Sequence, residues 1–248
     1  MVSLRLWCIL GLVAAAVILA GSAIGGVWGW VLAAALSYLA LLELFFKSAE
    51  FVLAEHSARE LSREQAPLLF DLVQHYAAQL RMRAPKLYLI PEPSANALCA
   101  GAEFDRPVFA VTEGLLTTLN ENQLRAVVIH ELARIRSGEA LAEGVVARIG
   151  HFLRFARLEW VWARLSVTPR SEFAADDLAA KLSGHPEHLA SALAAMHKST
   201  ERFPLSNDSP ATHHVWMVGP ARWDERGDRL STHEPVAVRI RRLRERAA

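Results

Sequence analysis

From Leu6 to Leu42 the chain carries no charged residue. A run so long and apolar exceeds the buried helix of a soluble domain and predicts insertion into a membrane. At 1.5 Å per residue it would make a single helix of roughly 55 Å, against a hydrocarbon core of about 30 Å, so two shorter spans fit better. Gly21, Ser22, Gly25 and Gly26 lie in the middle and supply a turn, leaving helices near residues 4–21 and 27–46 with Glu43 close to the second exit. Arg5 and Lys47 flank this pair on one side while the turn holds no Lys or Arg, an asymmetry that puts both ends in the cytoplasm. A cleaved signal peptide is the competing reading, with Ala20-Gly21-Ser22-Ala23 as its cleavage region, but the apolar stretch resumes at Ile24 and runs to Phe46. The expected division is a transmembrane hairpin at 1–46 and a cytoplasmic domain at 47–248, held at a bacterial-type inner membrane.

The chain has 248 residues, enough for one packed domain beyond the hairpin. Its 27 Lys and Arg nearly balance its 26 Asp and Glu, so no nucleic-acid partner is expected. The one basic concentration, Arg239, Arg241, Arg242, Arg244 and Arg246, reads first as a solvated helix face and second as a contact for anionic lipid headgroups. Cys8 and Cys99 form no disulfide framework.

Beyond the hairpin, the pattern predicts an α+β, mainly helical domain. Residues 47–82 read as helical, with a fresh start at Pro67; Lys86 to Ile90 and Val108 to Thr112 read as strands, and Asn96 to Asp105 as loop or irregular edge. Asn120 offers a cap to a helix carrying His130, Glu131 and Arg134, which Gly138 ends or bends. Residues 140–165 mix Val, Leu, Phe and Trp with frequent charges, which suits an amphipathic helix on the domain or at the bilayer surface better than a further span. Helices are expected at 171–182, 186–198 and 235–246, with a possible short strand at Val215 to Val218.

The helix beginning His130-Glu131-Leu132-Ala133-Arg134 poses the chemical question. Two histidines four apart on one helical face can grip a zinc ion while the glutamate after the first activates the metal-bound water. Here the second histidine position holds Arg134, which has five N–H donors, no lone pair for a metal, and a permanent charge. Taken alone, such a pattern is weak evidence.

Several further segments strengthen it. Asn96-Ala97-Leu98 with Gly101, then Ala110 to Leu116, the Glu121 to Gly138 helix, Ser171 to Asp176, and Leu230 to His233 followed by Pro235 and Arg239-Ile240 occur in an order that resembles the HtpX-like family of membrane-bound zinc metallopeptidases. Glu234 stands where that family usually has proline, and residues 140–165 are shorter and more charged than its second membrane hairpin. The resemblance implies a zincin-like, HtpX-type domain in which His130 and Glu172 match metal ligands, Glu131 the general base, and Asp176, His233 and Arg239 supporting positions.

Arg134 matches a ligand that it cannot replace. Its guanidinium is expected to pair with Glu172 and also Glu131, leaving no cofactor; zinc would require a substitute ligand from His151, His213, His214 or His233. The expected function is that of a catalytically impaired, membrane-anchored metallopeptidase homologue acting as a binding or regulatory subunit. Its partners would be the lipid bilayer and a membrane protein, with Phe152, Phe155, Trp160 and Trp162 as candidate interface residues. The alternative is a zinc-dependent endopeptidase cleaving membrane proteins, with peptide as substrate and Glu131 as base. A lipid-surface module using the C-terminal arginines is a third reading.

Overall fold

The computed structural model describes residues 4–102, 105–158, 161–162, 171–206, 209, 211–219 and 233–246. The chain opens with α1 (Leu4–Phe46), whose helical run is interrupted at Gly26 (φ 58°, ψ −139°), a conformation that glycine adopts without Cβ strain. The limbs on either side touch: the Trp7 and Phe45 rings stack with centroids 4.9 Å apart. A Cβ on Gly29 would fall 2.1 Å from the carbonyl oxygen of Gly21, so both glycines permit the close approach. Among the described residues this is the one helix long and apolar enough to cross a membrane.

Next come α2 (Ser48–Glu55), β1 (Arg59–Glu60), α3 (Pro67–Gln79), β2 (Lys86–Ile90), β3 (Ala97–Ala102) and β4 (Asp105–Thr112). The strands form one sheet in the order β1-β2-β4-β3, with β2 parallel to β4 and the other pairs antiparallel. Four helices follow the sheet: α4 (Glu113–Thr118), α5 (Glu121–Ser137), α6 (Glu139–Leu153) and α7 (Ser171–Ser183). The chain then adds α8 (Pro186–Arg202) and α9 (Val236–Glu245). The main core lies where α5 is wrapped by α3, the sheet, α7 and α8, through Leu69, Val73, Phe109, Ile129, Leu132, Ala179 and Leu193. A smaller cluster joins Leu6, Leu10 and Phe45 of α1 to Leu141, Val145, Val146 and Ile149 of α6.

Several expectations are corrected. The stretch read as loop at 96–105 contains β3, whose small residues lack the usual β-branched signature and whose two faces are both buried, so no alternation marks it. Residues 47–82 are not continuously helical: Ser57 turns at φ 51°, and Leu61 donates its N–H to Leu87 O at 2.9 Å, joining the sheet edge. The segment expected as one helix at 140–165 ends at Leu153, passes through a 3₁₀ turn (Arg154–Ala156) and bends at Arg157 (φ 55°). In place of a strand at 215–218 there is a 3₁₀ turn (His213–Val215) and one bridge, Leu98 to Trp216. Trp160 and residues 220–232 lie outside the described residues.

Candidate functional site

Helix α5 starts on a reciprocal cap: Asn120 Oδ1 accepts from the Gln123 N–H and Gln123 Oε1 accepts from the Asn120 N–H, each at 3.0 Å. Its second half is buried on every side, so His130, Glu131 and Arg134 project into the interior rather than into water. Buried polar groups there need partners, and α6, α7 and α9 supply them.

Helix α7 carries Glu172 and Asp176, one turn apart and therefore on one face, and α9 brings Arg239 against both. Arg239 grips Asp176 with two parallel bonds, Nε to Oδ2 at 2.9 Å and Nη2 to Oδ1 at 2.7 Å. Its Nη1 donates to Met217 O at 2.8 Å and lies 3.0 Å from Glu172 Oε2. Burial alone would raise the Asp176 carboxyl, but the guanidinium outweighs it, with help from His130, and holds Asp176 below the usual carboxylate range. Asp176 Oδ1 also lies 2.9 Å from His130 Nδ1, which orients the ring and leaves Nε2 with no hydrogen-bond partner among the described residues.

Glu172 has the weaker share of Arg239. Burial pushes its carboxyl up to about 8, Arg239 opposes this, and the nearby Asp176 charge adds to it. His233 Nε2 donates to Trp216 O at 2.8 Å and sits 3.8 Å from Glu172 Oε1, with its pKa pushed down to about 3 by burial. Asp176, His233 and Arg239 are thus brought together with His130 and Glu172.

Arg134 meets one expected partner, Glu131, and replaces the other, Glu172, with Glu143. Its Nη1 donates to both carboxylate oxygens of Glu131, at 3.3 and 3.2 Å, and its Nη2 bonds to the carboxylate of Glu143 rather than Glu172. Burial disfavours its charge, and Glu143 and Glu131 more than offset that, so the guanidinium stays protonated. Glu143 is the residue that sequence reasoning missed as a site member. Gly138, at φ 78°, turns α5 into α6, and the angle between the two helices carries Glu143 back onto Arg134. Burial drives the Glu143 carboxyl up to about 8, with Arg134 pulling the other way and Glu139 and Glu131 adding to the rise.

A structural or catalytic zinc takes at least three protein ligands. His130 and Glu172 could offer two, and the position of the family's second histidine holds Arg134, a cation without a lone pair. Of the four candidate substitutes, His151 is occupied elsewhere, against the Phe51 ring and 3.7 Å from Glu55. His213 and His214 are each pushed down to about 4 by burial, and His214 Nε2 contacts Glu143 O at 3.0 Å. Cys99, on β3, lies beneath Glu131, and burial raises its thiol far above the thiolate range, so it offers no nucleophile. Away from this cluster, Phe152 and Phe155 are exposed, whereas Trp162 is half-buried and donates Nε1–H to Val146 O at 3.0 Å.

Comparison with known proteins bears on what this arrangement descends from. Residues 63–168 match Peptidase family M48. A "Protease HtpX homolog" from Pyrococcus furiosus is 31% identical over 257 residues, covering 91% of this chain and 89% of the relative. The protein of that description from Syntrophobacter fumaroxidans is 29% identical over 275 residues, covering 97% and 98%. Another, from Methanocaldococcus jannaschii, is 29% identical over 235 residues, covering 81% and 82%.

Proposed function

The chain belongs to the HtpX-like peptidases of family M48, and from that premise we propose that it is a membrane-anchored, catalytically impaired homologue that works by binding, as a regulator or subunit of a membrane protein assembly. The observation that carries this reading is the Arg134 guanidinium bridging Glu131 and Glu143. A general base for peptide hydrolysis must take a proton from water and return it to the leaving amine. Glu131 instead has both oxygens engaged by a permanent cation, and the added positive charge repels a divalent ion from the same space.

The two limbs of α1 would cross the bilayer as a hairpin, with residues 47–248 in the cytoplasm as the positions of Arg5 and Lys47 direct. That the relatives come from bacteria and archaea supports the membrane of a prokaryotic cell as the place of anchorage. A second reading, a zinc endopeptidase using Glu131, draws on His130, whose Nε2 has no hydrogen-bond partner among the described residues and whose Nδ1 lies 2.9 Å from Asp176 Oδ1, as a metal-binding imidazole's would.

Elemental analysis of full-length protein purified in detergent without added metal decides between them. We expect well below one zinc per chain and no peptide cleavage. Near-stoichiometric zinc, with cleavage abolished by Glu131→Gln, would establish the endopeptidase reading instead.

A further inference from the structure

We propose that α6 is a mechanical link between anchor and site: the arrangement of the α1 limbs sets whether Glu143 reaches Arg134. The inference rests on the proposed anchorage of α1 and names the regulation of the site already described.

Helix α6 has two working faces. Leu141, Val145 and Ile149 recur at four-residue spacing, and this stripe packs with Leu6, Leu10 and Phe45, from the ends of both limbs. Arg148 lies three residues past Val145 on the same face and pairs with Glu43, one turn before α1 ends at Phe46. Its side chain is 13% exposed, so loss of Glu43 would strip a largely buried charge of this partner. Glu143 stands two residues from both Leu141 and Val145, which puts it on the far side of the helix. There its carboxylate takes Arg134 Nη2, and its carbonyl oxygen contacts His214 Nε2 at 3.0 Å.

Little slack separates the two faces. Ser48, the first residue of α2, is fully buried and donates Oγ–H to Phe45 O at 3.0 Å, which fixes it to the end of the anchor. A Cβ on Gly144 would fall 3.2 Å from the Ser48 side chain, so α2 and α6 are in close contact at the residue beside Glu143. Contacts therefore run without a gap from Phe45 through Ser48 and Gly144 to Glu143 and Arg134. A close-packed interior transmits a displacement instead of absorbing it, so limbs that shift in the bilayer carry α6 with them and draw Glu143 from the guanidinium. Coupling of this kind is reciprocal: a change at Arg134 acts back on the limbs by the same factor.

The test is a double-mutant cycle on the full chain in dodecylmaltoside micelles, unfolded with sodium dodecyl sulfate. Glu43→Ala removes the contact at the anchor and Glu143→Gln weakens the one at the site; their ion pairs, with Arg148 and Arg134, have no residue in common. The double variant should raise the unfolding constant several-fold less than the product of the two single variants. Agreement with that product to within about twofold overturns the link and leaves both the anchorage and the impaired site as they stand. Hydrogen exchange gives a reading that needs no variant at 143. In Glu43→Ala the amides from Arg134 to Gly138, at the end of α5, should exchange several-fold faster while those of α3 keep their wild-type rates. Acceleration confined to the last turn of α6, or an equal rise in α3, overturns the link as well. Near-stoichiometric zinc in the wild type would displace the Arg134–Glu143 pair, and the inference falls with the impaired-site reading in that case alone.

Discussion

Replacing Arg134 with alanine would leave Glu131 and Glu143 facing each other in a buried space with no cation between them. Breaking a buried ion pair from one side costs on the order of 3–5 kcal/mol, so Arg134→Ala should unfold at distinctly lower denaturant concentration than wild type. A fall under about 1 kcal/mol, the worth of an exposed pair, would show that the guanidinium is solvated. Arg134→His makes a different prediction. It returns a lone pair to the position one turn from His130, so the purified variant should carry close to one zinc per chain, and its thermal midpoint should rise when zinc is supplied. If the variant takes up no zinc, Glu172 is held too firmly by Arg239 to serve as a ligand, and the departure from the family's chemistry extends beyond Arg134.

At the scale of elements, the site depends on how sharply α5 gives way to α6. Gly138 serves as the end of one helix and the start of the next at φ 78°, where an L side chain is strained. Gly138→Ala should therefore destabilise the protein by about 1–3 kcal/mol, as judged by chemical denaturation of the detergent-solubilised chain. An unchanged midpoint would mean that the joint relaxes without cost. The joint was legible in the sequence, and so were α5 and the final helix, because each announces itself within one turn or one cap; the α7 carboxylates were singled out by resemblance alone. Glu143 was not legible as a partner, since a pair nine residues apart is made only by the angle between two helices. The strand β3 escaped for a local reason: Ala-Leu-Cys-Ala-Gly-Ala is flat, small and buried throughout, and nothing in it alternates. Resemblance named Asp176 and Arg239 as supporting positions without pairing them, and spacing alone could not join residues 63 apart.

For the whole molecule, two measurements follow. If the anchor crosses as a hairpin, a cysteine placed at Glu64 should react with a membrane-impermeant maleimide in inside-out vesicles and stay unlabelled in right-side-out ones; the opposite pattern reverses the topology. The second concerns pH. Glu143 and Glu172 have pKa values near 8 in the folded state against an ordinary 4.5, so the folded protein retains protons that the unfolded chain releases, and stability falls as pH rises toward 8. His56, His213 and His214 are pushed down to about 4 and His233 to about 3 from an ordinary 6.5, so the unfolded chain takes up protons first on acidification, and stability falls below 6.5. The opposing slopes place the thermal midpoint's maximum at about pH 6.5, and a midpoint climbing steadily from there to pH 8 would contradict the buried-acid assignment. The Arg239 clamp adds a consequence in the order of synthesis. A ribosome delivers the α1 limbs first, while the cation that satisfies Asp176 and Glu172 arrives only with α9. Until then Asp176 lacks its two-bond grip and Glu172 its guanidinium neighbour. Chains stalled before Val236 should be cut readily by protease in α7 and become resistant once the helix has emerged, which would make Arg239 the residue by which the cell can tell a finished copy from an abandoned one.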